Sequence, residues 1–433
     1  MNWSTLSQMF VAFRRRAGRV LANASFVLLV VHSMTATVPA QQQAADPNDR
    51  ETIKQLLKRV EELEARLKRM EARQTEVAAT AAPSAAVPAG GAKEAETEPS
   101  QSAPDHMRGI PPALQIRGFS DVTLHASDLH GEKPAFAIGQ LDLFITSRLS
   151  EKLSVLAELV LEANDENAFG FEAERLLLSY RPSDYFNVAF GRYHTAIGYY
   201  NAAYHHGTWF QTATGRPFIF QFEDEGGILP IHNVGISANG RIPSGKLGLQ
   251  YVAEIGNGRA RRTPLVEPVQ NSVDENGGKA VNLGVSARPD WAPGLQAGFS
   301  IYRDRLTPDG FPRFGETIGA AHVVYTNSTI ELLNEALLVR HSPAGSGRTF
   351  NTSGFYTQVS RRFDKARPYF RYQYVNAATD EPILGDVGRR NGPSLGLRYD
   401  VSEFAAFKAQ YDRTGRRGLE PFNGLTLQLA FAF

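Results

Sequence analysis

The feature that most constrains this chain is an alternation of apolar and polar side chains, which starts near Ala113 and continues to the last residue. Between positions 247 and 255, for example, every odd position is apolar, and Gln250 and Glu254 lie between them. Successive side chains of a β-strand point to opposite faces, so a period of two indicates strands with one apolar face. Long stretches of helical periodicity are absent here, and we therefore predict an all-β structure for residues 113–433.

Turn and loop signals divide this region into sixteen candidate strands, which begin near Ala113, Ala135, Leu153, Phe171, Tyr185, His232, Lys246, Lys279, Gly294, Thr317, Thr329, Thr352, Arg367, Gly392, Phe404 and Asn423. Short turns (150–152, 242–245, 326–328, 364–366 and 401–403) alternate with long polar loops (257–278, 303–315, 341–351 and 376–391). An even number of strands, each about 10 residues long, with this rhythm is typical of an antiparallel transmembrane β-barrel of the bacterial outer membrane. A soluble β-sandwich also alternates, but nothing in it would keep the rhythm through so many strands.

The two ends of the sequence indicate export and insertion into a membrane. The terminal stretch LTLQLAFAF alternates and ends in Phe433, which resembles the signal that the barrel assembly machinery recognises in bacterial outer-membrane proteins. At the other end, Arg14, Arg15 and Arg16 precede an apolar run over 20–31 that is too short to span a bilayer. We predict a signal peptide over residues 1–40, with a membrane anchor as the alternative.

A heptad pattern follows the predicted signal peptide. Apolar residues recur at alternating spacings of three and four: Ile53, Leu56, Val60, Leu63, Leu67 and Met70. We predict a coiled coil over residues 51–77, in which arginines at g positions face glutamates at e positions of a parallel neighbour. A single amphipathic helix is the alternative. Residues 78–112 are rich in Ala, Pro and Gly with almost no large apolar side chain, so we predict a flexible linker.

Composition excludes several classes of protein. The chain has 46 basic and 45 acidic side chains, a net charge of +1, which argues against a nucleic-acid partner. It has no cysteine, so disulfides, thiolate metal sites and cysteine nucleophiles are excluded. No serine lies in a distinctive nucleophile context, and we predict neither an enzyme nor a catalytic residue nor a cofactor.

The interior of a sixteen-stranded barrel is too wide for side chains to fill, so it is an aqueous channel unless a segment plugs it. The alternation assigns residues of both charge signs to the inner face. The candidate wall residues are Arg117, Asp121, Asp142, Arg148, Glu254, Arg288, Arg371, Arg398 and Lys408. We expect a polar, hydrated interior of mixed charge.

The longest loop lies between the fifth and sixth strands and begins with the stretch YYNAAYHHGTWF, with FEDEGG farther on. By composition these stretches suggest a metal or catalytic site. By position they belong to the third loop at the long-loop end of the barrel. We predict that this loop lines a constriction, with the candidate residues His205, His206, Trp209, Arg216, Glu223, Asp224 and Glu225.

Two other interpretations of this loop compete with the constriction. The potential zinc or copper ligands share no recognised spacing, so no metal site is predicted from His194, His205, His206, His232, Glu223 and Asp224. The aromatic side chains could stack on sugars. They could equally be the apolar anchors that a loop of about 35 residues needs to hold one conformation.

Residues 113–433 resemble sixteen-stranded porins, in which the third loop folds back into the barrel and sets the constriction. A coiled coil ahead of such a barrel, together with the passage FNVAFGRYHTAIGYYN, resembles more narrowly the phosphate-selective porin (O and P type) family. The resemblance implies a homotrimer in the outer membrane that allows passive diffusion of ions and small hydrophilic solutes. The coiled coil is expected in the periplasm, where it holds the trimer together or contacts the cell wall.

In that family the phosphate filter resembles a ladder of lumenal arginines together with lysines at the constriction. This sequence departs from that pattern. No lysine lies between Lys152 and Lys246, and the third loop carries one cation, Arg216, ahead of the acidic run 223–225. Phosphate capture needs positive charge or converging amide donors. We therefore expect a weakly selective channel. The alternatives are an anion-, phosphate- or sugar-selective channel, and a structural envelope protein that acts through its coiled coil.

Overall fold

The computed structural model describes residues 113–433 apart from 165–166, 205–207, 224, 261–267 and 309. The predicted signal peptide, coiled coil and linker fall within residues 1–112, outside the described residues, and stay predictions. In the described part of the chain, no helix is long and apolar enough to cross a membrane.

The described residues form a single antiparallel sheet of seventeen strands that closes on itself. The strands are β1 (Ala113–Ser127), β2 (Ala135–Ile138), β3 (Leu141–Arg148), β4 (Leu153–Ala163), β5 (Phe169–Ser183), β6 (Phe186–His194), β7 (His232–Arg241), β8 (Leu249–Gly256), β9 (Ala280–Ala287), β10 (Leu295–Leu306), β11 (Phe314–Thr326), β12 (Ile330–Pro343), β13 (Phe350–Arg361), β14 (Ala366–Asn376), β15 (Arg389–Asp400), β16 (Ala405–Arg416) and β17 (Leu419–Ala432). Both β2 and β3 pair with β1, so together they occupy one position in the barrel. The described sheet is therefore a sixteen-stranded barrel, which confirms the predicted barrel architecture.

The barrel closes where the first strand meets the last. β1 pairs with β17 from Phe119, opposite Ala432, onward. The backbones of Gly118 and Phe433 exchange two hydrogen bonds, of 2.8 and 2.9 Å. The tip of the Phe433 ring lies where a Cβ of Gly118 would be, so glycine allows the terminal aromatic ring to approach the first strand closely. Because the first and the last strand pair, the described sheet is closed and does not end in two open edges.

The predicted strand starts agree with the observed ones to within four residues. Short turns join strands at the end where β1 begins, which we name the turn end. The opposite, loop end carries the long connections, including residues 195–231, 257–279 and 377–388. The connection between β10 and β11 is shorter than predicted, because Asp304 and Glu316 continue the strand ladder beyond the apolar band.

The two halves of the barrel interior differ. The inner face of β10–β14 is buried and carries polar residues such as Glu316, Glu335 and Arg371. Between them lie the apolar residues Tyr302, Ile318, Leu333, Leu337, Val339, Tyr356 and Val375. The inner face of β3–β8 is polar and carries Asp142, Glu158, Glu174 and Glu254. A polar interior of mixed charge was expected. On β10–β14 charged and polar side chains are interspersed with apolar ones, and a segment of the chain packs against this part of the wall.

Candidate functional site

We name residues 195–231 the inserted segment; its described residues, 195–204, 208–223 and 225–231, fold into the barrel and lie against its inner wall. The segment contains one helical turn, α1 (Tyr200–Ala203), and a 3-10 turn at Phe218–Phe220. Most of its backbone has no strand partner. Buried N–H and C=O groups must be paired, so the wall has to supply hydrogen-bond partners.

Carboxylates of the wall accept hydrogen bonds from the start of the inserted segment. The N–H of Ala196 donates to Glu254 at 3.0 Å. The N–H groups of Tyr199 and Tyr200 donate to the two oxygens of Glu335, at 2.5 and 2.9 Å. Both glutamates are buried, and they lie on strands β8 and β12. The entry of the segment is therefore fixed to two parts of the barrel.

A fully buried lysine holds the middle of the inserted segment. Lys408, on β16, is 0% exposed. Its ammonium group donates to the carbonyl of Thr208 and to that of Ala213, the latter at 3.1 Å. One ammonium group has three donors and here it satisfies two backbone acceptors, so it pins both ends of the stretch between them.

Two arginines of neighbouring strands bind further carbonyls in the same way. Arg398 on β15 donates to the carbonyls of Trp209 and Gln211, at 2.6 and 2.9 Å. Its guanidinium also lies 5.0 Å from the centre of the Trp209 ring. Arg371 on β14 donates to the carbonyl of Gly215 at 2.7 Å. We name Arg371, Arg398 and Lys408 the carbonyl clamp.

Apolar side chains near the start and near the end of the inserted segment pack in one cluster with those of β10–β14. The residues of the segment in this buried cluster are Ile197, Tyr200, Ile219, Phe220, Ile228, Leu229 and Ile231. Each such side chain contributes about 1.5–3 kcal/mol when fully buried. The apolar side chains of β10–β14 thus give the segment a hydrophobic surface to pack on.

Ile219 fits against a glycine of the wall. A Cβ at Gly354 on β13 would overlap the side chain of Ile219, which is 0% exposed. We expect Gly354→Ala to displace the 3-10 turn and loosen the segment, at a cost of about 1–3 kcal/mol for overpacking. Limited proteolysis of the folded barrel within residues 215–231 measures this. Gly319→Ala is the control, because a Cβ at Gly319 meets nothing within 4 Å; equal protease resistance in both variants would contradict the expectation.

The side chain of Arg216 contacts other residues of the inserted segment. Its Nε donates to the carbonyl of Phe220, and its guanidinium lies 4.3 Å from the ring centre of Phe222 and 5.5 Å from that of Tyr200. Burial raises the pKa of Tyr200 to about 12, although Arg371 and Arg216 lower it. The Tyr200 hydroxyl therefore stays protonated at neutral pH and donates to Gln211 at 2.5 Å.

A chain of buried charges links the inserted segment to two other connections at the loop end. Arg259, in the connection 257–279, lies 3.7 Å from Glu223 of the segment and binds Glu316 of β11. Burial alone would lower the pKa of Arg259, but the adjacent Glu316 and Glu223 raise it. His341 on β12 lies 2.8 Å from Glu316 and 2.9 Å from Glu381 in the connection 377–388. We name these five residues the ionic chain.

The predicted constriction residues divide into three groups. Three of them lie outside the described residues: His205, His206 and Asp224. Three contact the wall or the segment itself, as described above: Trp209, Arg216 and Glu223. Glu225 is exposed, and its N–H donates to the carbonyl of Phe222 at 3.1 Å. Their part in a constriction stays a prediction.

The predicted wall residues divide into those that contact the inserted segment and those that do not. Those that contact the described part of the inserted segment are Asp121, Glu254, Arg371, Arg398 and Lys408. Asp142 is buried beside Glu158, and the others lie exposed toward the turn end: Arg117, Arg148 and Arg288. The sequence prediction missed at least seven wall residues that bind the described part of the segment: Glu331, Glu335, Arg367, Gln373, Arg390, Gln410 and Gln428. No simple signal identifies Glu331 and Glu335, because β12 reads IELLNEALLVRH and is apolar on both faces.

Two histidines considered as metal ligands lie opposite each other on β6 and β7. His194 and His232 are cross-strand partners, with ring centres 5.3 Å apart. A bulge in β5 places both Glu174 and Arg175 on the inner face nearby. His232 lies 2.6 Å from Glu174, and His194 lies 3.5 Å from Glu158. Among the described residues no group of side chains is arranged to hold a metal ion.

The inserted segment leaves open space on the turn-end side. A cavity of about 370 Å³ lies between the segment and strands β5–β11. The segment contributes only small residues to its lining: Ala196, Gly198 and Ala202. The strands contribute polar ones, including Gln250, Ser286 and Gln296. Water and small polar solutes fit this surface better than apolar ones.

Comparison with known proteins supports the fold. No protein-family model matches the chain, and no curated protein matches it. Among solved structures, an anion-selective porin from Comamonas acidovorans matches with a TM-score of 0.54 at 14% identity, over 74% of this chain and 100% of that one. OmpT of Vibrio cholerae, in a trimer form, matches with a TM-score of 0.51 at 12% identity, over 74% and 99%. At such identities the likeness shows a porin-type barrel fold and no more.

Proposed function

We propose that the chain is a porin of the bacterial outer membrane, through which ions and small hydrophilic solutes diffuse passively. The observation that carries this proposal is the placement of the inserted segment. Its described residues pack against β10–β14 and are hydrogen-bonded to β14–β16, and they leave polar open space beside β5–β11. A fixed segment in a closed barrel narrows a water-filled channel without blocking it.

The carbonyl clamp argues against a phosphate filter. A filter for anions needs cations whose donors are free to replace the hydration of the solute. Here Arg371, Arg398 and Lys408 donate to backbone carbonyls of the inserted segment instead. The aromatic residues Tyr200 and Phe220 of the segment are buried between it and the wall, so these two rings offer no stacking surface for sugars. We therefore propose weak selectivity.

Weak selectivity predicts a small reversal potential. In a planar bilayer with a tenfold KCl gradient, we expect the potential of zero current to be less than about half of the Nernst potential of either ion. A value close to the Nernst potential of chloride would contradict this prediction and favour an anion-selective channel.

Assembly and location complete the proposal. The barrel inserts into the outer membrane with its loop end outward, recognised through Phe433, and forms homotrimers in which residues 51–77 extend into the periplasm. Phe433 ends the closing strand, and the solved OmpT has a trimer form. Deletion of residues 51–77 is expected to leave the barrel folded but to lower the temperature at which trimers dissociate on gels. If the trimers of the deletion variant were as stable to heat as those of the full chain, the coiled coil would have no part in holding the trimer together.

Liposome swelling tests the passive channel. Proteoliposomes that contain the full chain are expected to swell in isotonic sugar solutions, at rates that fall steeply as the sugar grows from a pentose to a trisaccharide. Empty liposomes and liposomes with the protein unfolded by heat are the controls. Rates equal to those of the empty liposomes would contradict the proposal and favour a structural protein that uses the barrel as an anchor.

A further inference from the structure

The outer face of the barrel carries a shallow groove near the loop end. Along its outer face β11 presents only small residues at this level: Gly315, Thr317, Gly319 and Ala321. Large side chains stand on either side of this strand. Ile301 of β10 and Leu338 of β12 are 49% and 46% exposed, and both are paired with Gly319 across the ladder. We name this feature the outer groove.

The groove is open along its length. A Cβ at Gly319 would meet no other atom within 4 Å, and one at Gly315 would barely reach a neighbour. The floor from Gly315 to Ala321 is about 20 Å long at the usual rise of a strand. Its lower part is walled by apolar side chains only. An extended hydrocarbon chain has the length, width and polarity to lie in it.

Arginines stand at the loop-end mouth of the groove. Arg303 of β10 and Arg340 of β12 are both paired with Thr317, so they flank it in one row of the sheet. Two strand spacings separate their backbones, about 10 Å. Arg305 lies one row farther on, opposite Gly315. All three side chains are exposed, and within the described residues none of them forms an ion pair.

The acidic residues of the same strands do not neutralise these arginines. Asp304 and Glu316 alternate with them and therefore point inward, where both are buried. Asp304 accepts the Tyr302 hydroxyl at 2.9 Å, and Glu316 binds Arg259. The outer face at this level is therefore positively charged, with no compensating carboxylate among the described residues of β10–β12.

We propose that the outer groove binds a phosphorylated anionic lipid of the leaflet at the loop end, with one acyl chain in the groove and a headgroup phosphate between Arg303 and Arg340. This inference rests on the proposed function, because it requires the barrel to lie in a membrane. An arginine that faces lipid is costly unless its guanidinium reaches the headgroup region. There the planar guanidinium fits phosphate oxygens in a bidentate manner, and the Thr317 hydroxyl adds a donor between the two.

Native mass spectrometry of the full-length protein in detergent tests the site, with hexa-acylated lipid A that carries two phosphates as the probe. The wild type is expected to retain lipid A. The double variant Arg303→Gln, Arg340→Gln is expected to bind it at least about tenfold more weakly, because two charge-assisted hydrogen bonds are lost. Gly319→Leu keeps the charges and fills the groove, and it is expected to weaken binding as well.

Matched controls separate this site from general charge effects. Arg361→Gln removes an exposed arginine at the turn end of β13 and is expected to bind lipid A as the wild type does. Lipid A without phosphates is expected to bind weakly, and inorganic phosphate at the same concentration is expected not to displace the lipid. Wild-type affinity in the double variant or in Gly319→Leu, or displacement by inorganic phosphate, would overturn the proposal.

The same preparations distinguish this proposal from the porin function. Gel mobility before and after heating shows whether each variant is folded, and liposome swelling shows whether it forms a channel. Loss of lipid binding in a folded variant with unchanged swelling supports the outer groove. If liposomes with the wild type do not swell, the porin function is contradicted. Lipid A binding is measured separately on the same protein, so the outer groove is still tested in that case.

Discussion

Replacing Lys408 with methionine is expected to release the middle of the inserted segment and to enlarge the channel. Methionine has a similar shape but no donor, so the carbonyls of Thr208 and Ala213 lose their buried partner. Each buried acceptor left unsatisfied costs about 1–3 kcal/mol, which favours conformations in which the stretch reaches water. Single-channel recording measures the outcome as a larger and noisier conductance.

A lysine outside the carbonyl clamp provides the control for this variant. Lys365 lies exposed in the turn between β13 and β14, and Lys365→Met is expected to leave the conductance unchanged. Both variants lose one positive charge, so a difference between them reports the carbonyl contacts and not the net charge. Equal conductance in the wild type and Lys408→Met would show that the clamp does not hold the segment.

Replacing Arg259 with methionine is expected to destabilise the loop end of the barrel strongly. Arg259 is 2% exposed and neutralises Glu223 and Glu316, which are also buried. Removal of one partner from a buried ion pair costs about 3–5 kcal/mol in the free energy of unfolding, because an uncompensated charge stays inside. The temperature at which the barrel loses its compact gel mobility is expected to fall.

An exposed ion pair is the matched control for Arg259. Arg348 pairs with Asp380 at the loop end, and both side chains are more than half exposed. Solvent screens such a pair, so Arg348→Met is expected to leave the unfolding temperature close to that of the wild type. If the two variants unfolded at the same temperature, the ionic chain would have no special part in stability.

The architecture could be predicted because the barrel imposes a strict period of two on the sequence. Strands such as β8 and β9 have one apolar and one polar face, and their starts follow from the sequence to within a few residues. The split of one barrel position into β2 and β3 could not be predicted, because Gly139 and Gln140 interrupt the ladder without a turn signal.

The contacts of the inserted segment could not be predicted, because they depend on what the barrel brings together. Alternation assigns Lys408 and Arg398 to the inner face, but it does not show that backbone carbonyls of residues 208–215 lie within reach. The acceptors Glu331 and Glu335 were missed for a different reason. Leucines and valine occupy both faces of β12, since its inner face packs on the segment and its outer face is apolar too.

The central claim is that a segment fixed to one half of the wall narrows an open, water-filled barrel. Single-channel recording from the full-length protein in planar bilayers tests it most directly. The predicted result is stable current steps that are linear in voltage, with a conductance that rises when the carbonyl clamp is weakened by Lys408→Met. The absence of stable steps from protein shown to be folded by its gel mobility would contradict the claim.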